Sequence, residues 1–177
     1  MAATQLLFAG FGGQGILFSG KFLAYQGLIA GRHVSWLPSY GPEMRGGTAN
    51  CSVILSDDPI GSPIVDHPDV LIAMNLPSLD KYEDAVVPGG KIFLDSTLIA
   101  RKVKRTDVSA YCIPATRLAS DNGMAALANM IVMGKVLREC PELGEAQIQA
   151  ALKKIVSARH QDMLAVNEKA LRMGMEY

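Results

Sequence analysis

The stretch FAGFGGQGILFSGKF, residues 8–22, decides the fold, because it leads from a predicted strand into a predicted helix through a run of glycines. Residues 4–9 form a short β-type run, and an apolar segment from Ile16 to about Ala30 follows the glycines. A strand, a glycine turn and a helix in this order are the beginning of a βαβ unit. The same stretch matches two nucleotide-binding patterns, which cannot both be real.

The first pattern is a phosphate-binding P-loop, G-x-x-x-x-G-K, spelled by Gly15, Gly20 and Lys21. A P-loop needs Ser or Thr directly after the lysine, because that hydroxyl binds Mg²⁺. The residue at this position is Phe22, and the residues before Gly20 have the character of a helix rather than of a loop. The P-loop interpretation therefore fails.

The second pattern is the dinucleotide fingerprint G-x-G-x-x-G, spelled by Gly10, Gly12 and Gly15. Its setting is right, since it follows a strand and opens a helix whose first N–H groups favour an anion. The acidic residue that would bind a ribose hydroxyl about 20 positions later is missing, because the next strand reads HVSWLP. The sequence thus predicts a phosphate site without ordinary NAD binding. A glycine turn needed only for close strand–helix packing is the alternative.

The rest of the chain alternates strands with helices. Further strands are predicted at 33–38, 48–56, 69–74, 91–95 and 107–114, and helices at 78–84, from an N-cap at Asn122 to Pro141, at 145–157 and at 162–173. We therefore predict an α/β fold, a three-layer sandwich with a mostly parallel central sheet, in a single domain of 177 residues.

Composition excludes several classes of function. Lys and Arg number 17, as do Asp and Glu, so a neutral chain gives no electrostatic footprint for nucleic acid or an anionic membrane. Cys51, Cys112 and Cys140 are isolated, and the three histidines lack metal-ligand spacing, so no metal site is predicted. No signal segment or long apolar run is present, and we expect a cytoplasmic protein.

A second unusual segment is YGPEMRGGTANCSV, residues 40–53. Gly46 and Gly47 allow a close backbone approach, and Arg45 beside them is a fixed cation. A guanidinium in such a loop commonly clamps a phosphate or a carboxylate. A solvated arginine on a loop is an equally good interpretation of the residues alone.

Three motifs together resemble one known family. GFGGQG at 10–15, SYGPEMRGGTANCSV at 39–53 and ANMIVMG at 128–134 are similar to the gamma subunit of 2-oxoacid:ferredoxin oxidoreductases. The same domain is fused into the longer pyruvate:ferredoxin oxidoreductases. The resemblance covers essentially the whole chain, so residues 1–177 are expected to form one gamma-type domain, most similar to the 2-oxoglutarate type.

The resemblance implies a subunit of an enzyme that oxidatively decarboxylates a 2-oxoacid to an acyl-CoA while ferredoxin is reduced. Thiamine diphosphate and iron–sulfur clusters are then expected on partner subunits only, namely alpha, beta and a possible delta chain. Coenzyme A is the co-substrate that this chain is expected to touch, without catalytic residues of its own. The residues assigned to CoA are Gly10, Gly12, Gly13, Gln14, Gly15, Arg45, Gly46 and Gly47.

Two other functions stay open from the sequence. The first is a stand-alone NADP-binding reductase, for which Arg32 and Arg45 offer cations near a ribose phosphate. The second is a purely structural scaffold subunit, in which the glycine turn serves packing alone.

Overall fold

A computed structural model describes residues 3–39 and 48–177, with Thr48 described by its backbone only. The strands are β1 (Thr4–Phe11), β2 (His33–Ser39), β3 (Thr48–Ser56), β4 (Val70–Ala73), β5 (Lys91–Asp95) and β6 (Ser109–Ile113). The α-helices are α1 (Ile16–Ile29), α2 (Leu76–Tyr82), α3 (Ala115–Asp121), α4 (Ala128–Glu139), α5 (Ile148–Ile155) and α6 (Asp162–Glu176).

The six strands form one sheet in the order β2-β3-β1-β4-β5-β6. Strands β1, β4, β5 and β6 pair in parallel, whereas β3 is antiparallel to both β1 and β2. The sheet is therefore mixed but mostly parallel, which confirms the predicted fold class. Ligands of such sheets bind beyond the C-terminal ends of the parallel strands, and β1 ends at Phe11, directly before the glycine turn.

Helices cover the two faces of the sheet unequally. On one face α1 and α4 pack over the strands, with α5 and α6 behind them, and Phe8, Phe22 and Phe93 are completely buried there. On the other face the short helix α2 and the segment around Ile99 enclose a smaller apolar cluster. Alternate residues of the buried strands supply the two clusters, as the two-residue period of a strand requires.

Helices α4 and α6 approach each other through a reciprocal pair of glycines. A Cβ on Gly134 would lie 2.0 Å from the carbonyl oxygen of Leu171, and a Cβ on Gly174 would lie 1.8 Å from that of Ile131. Only glycine fits at either position, because the obstructing atoms belong to the backbone of the facing helix. This contact fixes α6 against α4. Helix α4 in turn packs against the start of α1, where the candidate site lies.

The prediction for Asn122 is wrong. Asn122 follows the last residue of α3 and donates its side-chain N–H to the carbonyl oxygen of Leu118, four residues earlier. Helix α4 starts only at Ala128. The short helix α3 was missed because its sequence, ATRLASD, gives it only two buried residues, too few for a recognisable helical period.

Candidate functional site

The glycine turn lies at the C-terminal end of β1, as predicted. The N–H of Gln14 donates to the carbonyl oxygen of Phe11 at 3.2 Å, which closes a turn with Gly12 and Gly13 at its centre. Both glycines are exposed, and Gly13 has a φ of 91° with nothing within 4 Å of an added Cβ. Backbone of this shape is open to a ligand from the solvent side.

Gln14 holds the turn between two strands. Its Oε1 accepts the N–H of Phe11 at 2.6 Å, and its Nε2 donates to the carbonyl oxygen of Met74 at 3.1 Å. Met74 follows β4, so one side chain joins the ends of β1 and β4. Because both ends of the amide are engaged, Gln14 positions the turn, and its assignment to CoA remains a prediction.

Gly10 and Gly15 are required by close packing. A Cβ on Gly10 would lie 2.7 Å from both Gln14 Oε1 and Ile16 Cδ1. A Cβ on Gly15 would lie 2.4 Å from Asn129 Nδ2, and Gly15 also has a φ of 73°. The glycines of this segment therefore have two different roles. Gly10 and Gly15 leave room for neighbouring side chains, whereas Gly12 and Gly13 form an exposed turn.

The start of α1 has the features of an anion site. Its N-cap is Gly15, which has no side chain to cap the first N–H groups, and the first helical turn contains no acidic residue. The free N–H groups and the helix dipole leave a partial positive charge at this end. Chemically, the N–H groups of the turn and of the helix start can donate hydrogen bonds to a phosphate oxygen.

Asn129 was not predicted as a site residue. It lies in the first turn of α4 and donates from Nδ2 to Gly15 O at 3.1 Å and to Ser19 Oγ at 3.0 Å. It thereby ties α4 to the start of α1, across 114 residues of sequence. The available signal was an amide side chain within the apolar run ALANMIVM, because a buried polar group needs a partner.

The second predicted segment falls outside the described residues, since Arg45, Gly46 and Gly47 lie within 40–47. The two described ends that flank it, Ser39 and Thr48, pair with Asn50 and Phe11 respectively. Ser39 and Thr48 therefore both lie at the end of the strands where the glycine turn follows β1.

Arg32 lies at the opposite end of the strands from the glycine turn. It directly precedes His33, which pairs with Ser56, and its guanidinium donates to Leu55 O at 3.2 Å and bridges Asp57 at 3.4 Å. A strand of eight residues such as β1 is about 26 Å long. Arg32 therefore cannot serve a nucleotide phosphate bound at the glycine turn, and this part of the NADP interpretation is wrong.

Within residues 3–39 and 48–177, no group of three or more His, Cys, Asp or Glu side chains is arranged to hold a metal. Burial raises the pKa of the Cys51 thiol to about 12 and that of Cys140 to about 11, so neither is a nucleophile at neutral pH. In the same described part, no helix is both long and apolar enough to cross a membrane.

Comparison with known proteins supports the resemblance. Ketoisovalerate oxidoreductase subunit VorA of Methanothermobacter thermautotrophicus is 41% identical over 175 residues, which is 98% of this chain and 36% of that protein. 2-Oxoglutarate synthase subunit KorC of Methanocaldococcus jannaschii is 36% identical over 137 residues, covering 76% of this chain and 73% of that protein. The chain thus spans about a third of the length of VorA.

Solved structures agree in fold. The gamma subunit of a keto/oxoacid ferredoxin oxidoreductase from Geobacter sulfurreducens has a TM-score of 0.87 at 26% identity, covering 99% of this chain and 96% of that one. A second similar structure is 2-oxoglutarate:ferredoxin oxidoreductase from Magnetococcus marinus, solved with 2-oxoglutarate, coenzyme A and succinyl-CoA bound. It has a TM-score of 0.87 at 26% identity, and the match covers 99% of this chain and 31% of that one. The family model described as pyruvate ferredoxin/flavodoxin oxidoreductase matches residues 5–177. This chain therefore belongs to the pyruvate ferredoxin/flavodoxin oxidoreductase family, as its three motifs predicted.

Proposed function

We propose that this chain is the gamma-type subunit of a 2-oxoacid:ferredoxin oxidoreductase, in which it positions coenzyme A and docks the partner subunits. The observation that carries the proposal is the exposed Gly12–Gly13 turn before the uncapped start of α1. The structurally similar oxidoreductase from Magnetococcus marinus, whose matching region has the same fold, was solved with CoA bound.

The turn suits a phosphate of CoA for physical reasons. Backbone N–H groups and the helix dipole stabilise an anion by on the order of 1 kcal/mol. Such a contribution positions a phosphate but performs no chemistry. The oxidation itself requires thiamine diphosphate and iron–sulfur clusters, which we assign to alpha, beta and delta partners. When bound there, they supply the carbanion and electron-transfer chemistry of the reaction.

Two 2-oxoacids are candidates for the substrate of the assembled enzyme. The sequence resemblance favours 2-oxoglutarate, whereas the 41% identity to VorA favours ketoisovalerate. Assays of the purified complex with each acid, followed by ferredoxin reduction, distinguish the two. The higher kcat/KM identifies the substrate, because it measures discrimination directly.

The CoA assignment is tested by a matched pair of substitutions. Gly13 and Gly31 both have positive φ, at 91° and 76°, and neither has an atom within 4 Å of an added Cβ. Gly13→Val and Gly31→Val therefore impose a similar backbone strain, but only Gly13 lies at the proposed phosphate site. We expect Gly13→Val to raise the KM for CoA about tenfold or more, and Gly31→Val to leave it unchanged.

The alternatives give different results in the same experiment. A stand-alone reductase would bind NADPH without partner subunits, which calorimetry on the purified chain detects. A scaffold would respond equally to Gly13→Val and Gly31→Val, through stability alone. Equal KM values for CoA in the two variants would therefore refute the CoA assignment.

A further inference from the structure

Three exposed large apolar side chains lie at the end of the sheet that carries the glycine turn. Phe11 is the last residue of β1, and Leu76 and Leu98 each lie three residues beyond the ends of β4 and β5. Their exposed fractions are 41%, 38% and 46% respectively. Strands β1, β4 and β5 are parallel neighbours, and neighbouring strands are about 4.8 Å apart. The three side chains therefore follow one another along this end of the sheet, and we call them the apolar row.

The segments that carry the apolar row contain no charged residue. Residues 8–20, 70–79 and 96–100 lack Lys, Arg, Asp and Glu, although 19% of the chain is charged. The charged residues that directly follow the last two segments, Asp80 and Arg101, bridge each other at 2.6 Å. An exposed apolar centre that is depleted of charge and bordered by charged residues has the composition of a protein–protein interface.

Hydrogen bonds hold the backbone that presents the apolar row. The N–H of Phe11 donates to Gln14 Oε1 at 2.6 Å, and the N–H of Leu98 donates to the carbonyl oxygen of Asp95 at 3.2 Å. Leu76 is the first residue of α2, whose start is capped by the side chain directly before it. A partner therefore meets a surface that is already ordered, which lowers the entropic cost of docking.

The position of the apolar row beside the glycine turn indicates which molecule covers it. Phe11 directly precedes Gly12 and Gly13, where the proposed function places a phosphate of CoA. This chain has no catalytic residues assigned to it, so the thiol of that CoA must reach the active site of another subunit. The subunit that holds this active site must therefore approach the same end of the strands.

We infer that the apolar row docks the oxidoreductase subunit whose active site receives the thiol of CoA, against an apolar surface of that subunit. The identity of the partner rests on the proposed function. A second copy of this chain is the other possible occupant. It would cover the glycine turn of both copies and exclude CoA from them, because Phe11 adjoins the turn in each.

A matched pair of double variants tests the apolar row in the assembled complex. Leu76→Glu with Leu98→Glu places two charges on the row. Leu28→Glu with Ile29→Glu places the same charges on two side chains that are 54% and 41% exposed, at the C-terminal end of α1. Mass photometry of each purified complex on dilution measures the dissociation constant between this chain and the remaining subunits. We expect the row variant to raise this constant about 100-fold or more and the control variant to leave it unchanged.

The fold of the row variant is checked by circular dichroism of each purified complex. Glu is favourable at the first residue of α2 because of the helix dipole, and Leu98 is exposed, so the far-UV spectrum should match that of the natural complex. Should the charged variant fail to fold, Leu76→Ala with Leu98→Ala removes the apolar contacts alone. This second variant is expected to raise the dissociation constant about tenfold.

Three results would overturn the inference. The first is a row variant that binds the remaining subunits as tightly as the control variant does. The second is a row variant that assembles normally but has a raised KM for CoA, because the row would then belong to the CoA site. The third is a dimer of this chain alone that only the row variant abolishes, with assembly unaffected. Failure of the proposed function looks different: the row variant weakens assembly, whereas Gly13→Val leaves the KM for CoA unchanged.

Discussion

Asn129 in α4 donates its amide N–H to the carbonyl oxygen of Gly15 at 3.1 Å, so the residue that caps α1 is held by a side chain from the far half of the chain. The contact is possible only because Gly15 has no Cβ, which would lie 2.4 Å from Asn129 Nδ2. The last glycine of the fingerprint thus serves helix packing, while Gly13 remains open on the solvent side.

This division predicts different costs for two substitutions in the turn. Gly13→Ala meets only the strain of a positive φ, about 1–2 kcal/mol. Gly15→Ala meets the same strain and also displaces Asn129, which adds about 1–3 kcal/mol. Urea unfolding of both variants measures the difference. A Gly15→Ala variant as stable as Gly13→Ala would show that Asn129 relaxes without loss.

The glycine pair between α4 and α6 gives a second prediction. Gly134→Ala and Gly174→Ala should each lower the free energy of unfolding by at least about 2 kcal/mol, because backbone oxygens of the facing helix obstruct the new methyl group. Gly61→Ala is the control, since Gly61 has open space around it and no positive φ. It should be neutral or stabilise slightly. Thermal midpoints that do not separate Gly61→Ala from the two helix variants would contradict this account.

Glu83 predicts a pH dependence of stability. Burial alone would raise its pKa, but its ion pair with Arg101 at 2.6 Å and the backbone N–H of Lys104 outweigh burial, and the pKa of Glu83 lies below its usual value of 4.5. A carboxyl group with a lowered pKa in the folded state stabilises the protein above its unfolded pKa. That contribution is lost as the pH falls below about 4.5 through the folded pKa.

Glu83→Gln is therefore expected to destabilise the protein at pH 7 and to show a weaker fall in stability below pH 4.5. Asp84→Asn, at the exposed neighbouring position, removes the same charge without these contacts and serves as control. Urea midpoints at pH 7, 5, 4 and 3.5 measure the effect. Parallel pH profiles for Glu83→Gln and the natural chain would rule out Glu83 as a source of the dependence.

The cysteines predict a labelling pattern. Cys51 and Cys140 are buried and burial raises their pKa to about 12 and about 11, whereas Cys112 is exposed on the edge strand β6. A thiol reagent should thus react with one group per chain in the native state and with three after denaturation. Cys112→Ser should abolish native labelling. Rapid native labelling of Cys51 would mean that α1 separates from β3 far more readily than its packing implies.

The order of strands and helices was predictable because most elements carry a clear hydrophobic period or a glycine boundary. Strand β1, helix α1 and strand β3 all lie within two residues of their predicted ends. The position of β3 between β1 and β2 was not predicted, since antiparallel insertion into a parallel sheet depends on pairing across the whole chain.

The site was predictable only in part, for a related reason. The glycine turn is local, and the sequence places it correctly at the end of β1. The partners of the turn are distant in sequence, because Gln14 binds Met74 and Gly15 binds Asn129. Such contacts arise from tertiary packing, which no local pattern in one sequence records.

Arg45 is the residue that the sequence assigns to a phosphate of CoA. Arg45 belongs to the segment between Ser39 and Thr48. Both of these flanking residues lie at the end of the strands where the glycine turn follows β1. A charge-assisted contact with a phosphate contributes roughly 1.5–3 kcal/mol. Arg45→Ala should thus raise the KM of the assembled enzyme for CoA by about 10- to 100-fold, with little change for the 2-oxoacid or ferredoxin.

Arg32→Ala is the control for this variant, because Arg32 lies at the opposite end of the strands from the glycine turn. There it donates to the carbonyl oxygen of Leu55 and forms an ion pair with Asp57. It should lower stability and leave the KM for CoA as it is. Size-exclusion chromatography of each complex accompanies the kinetics. If Arg45→Ala dissociates the subunits while CoA dependence in the remaining complex stays normal, Arg45 is an interface residue, and the phosphate at the glycine turn must be held without it.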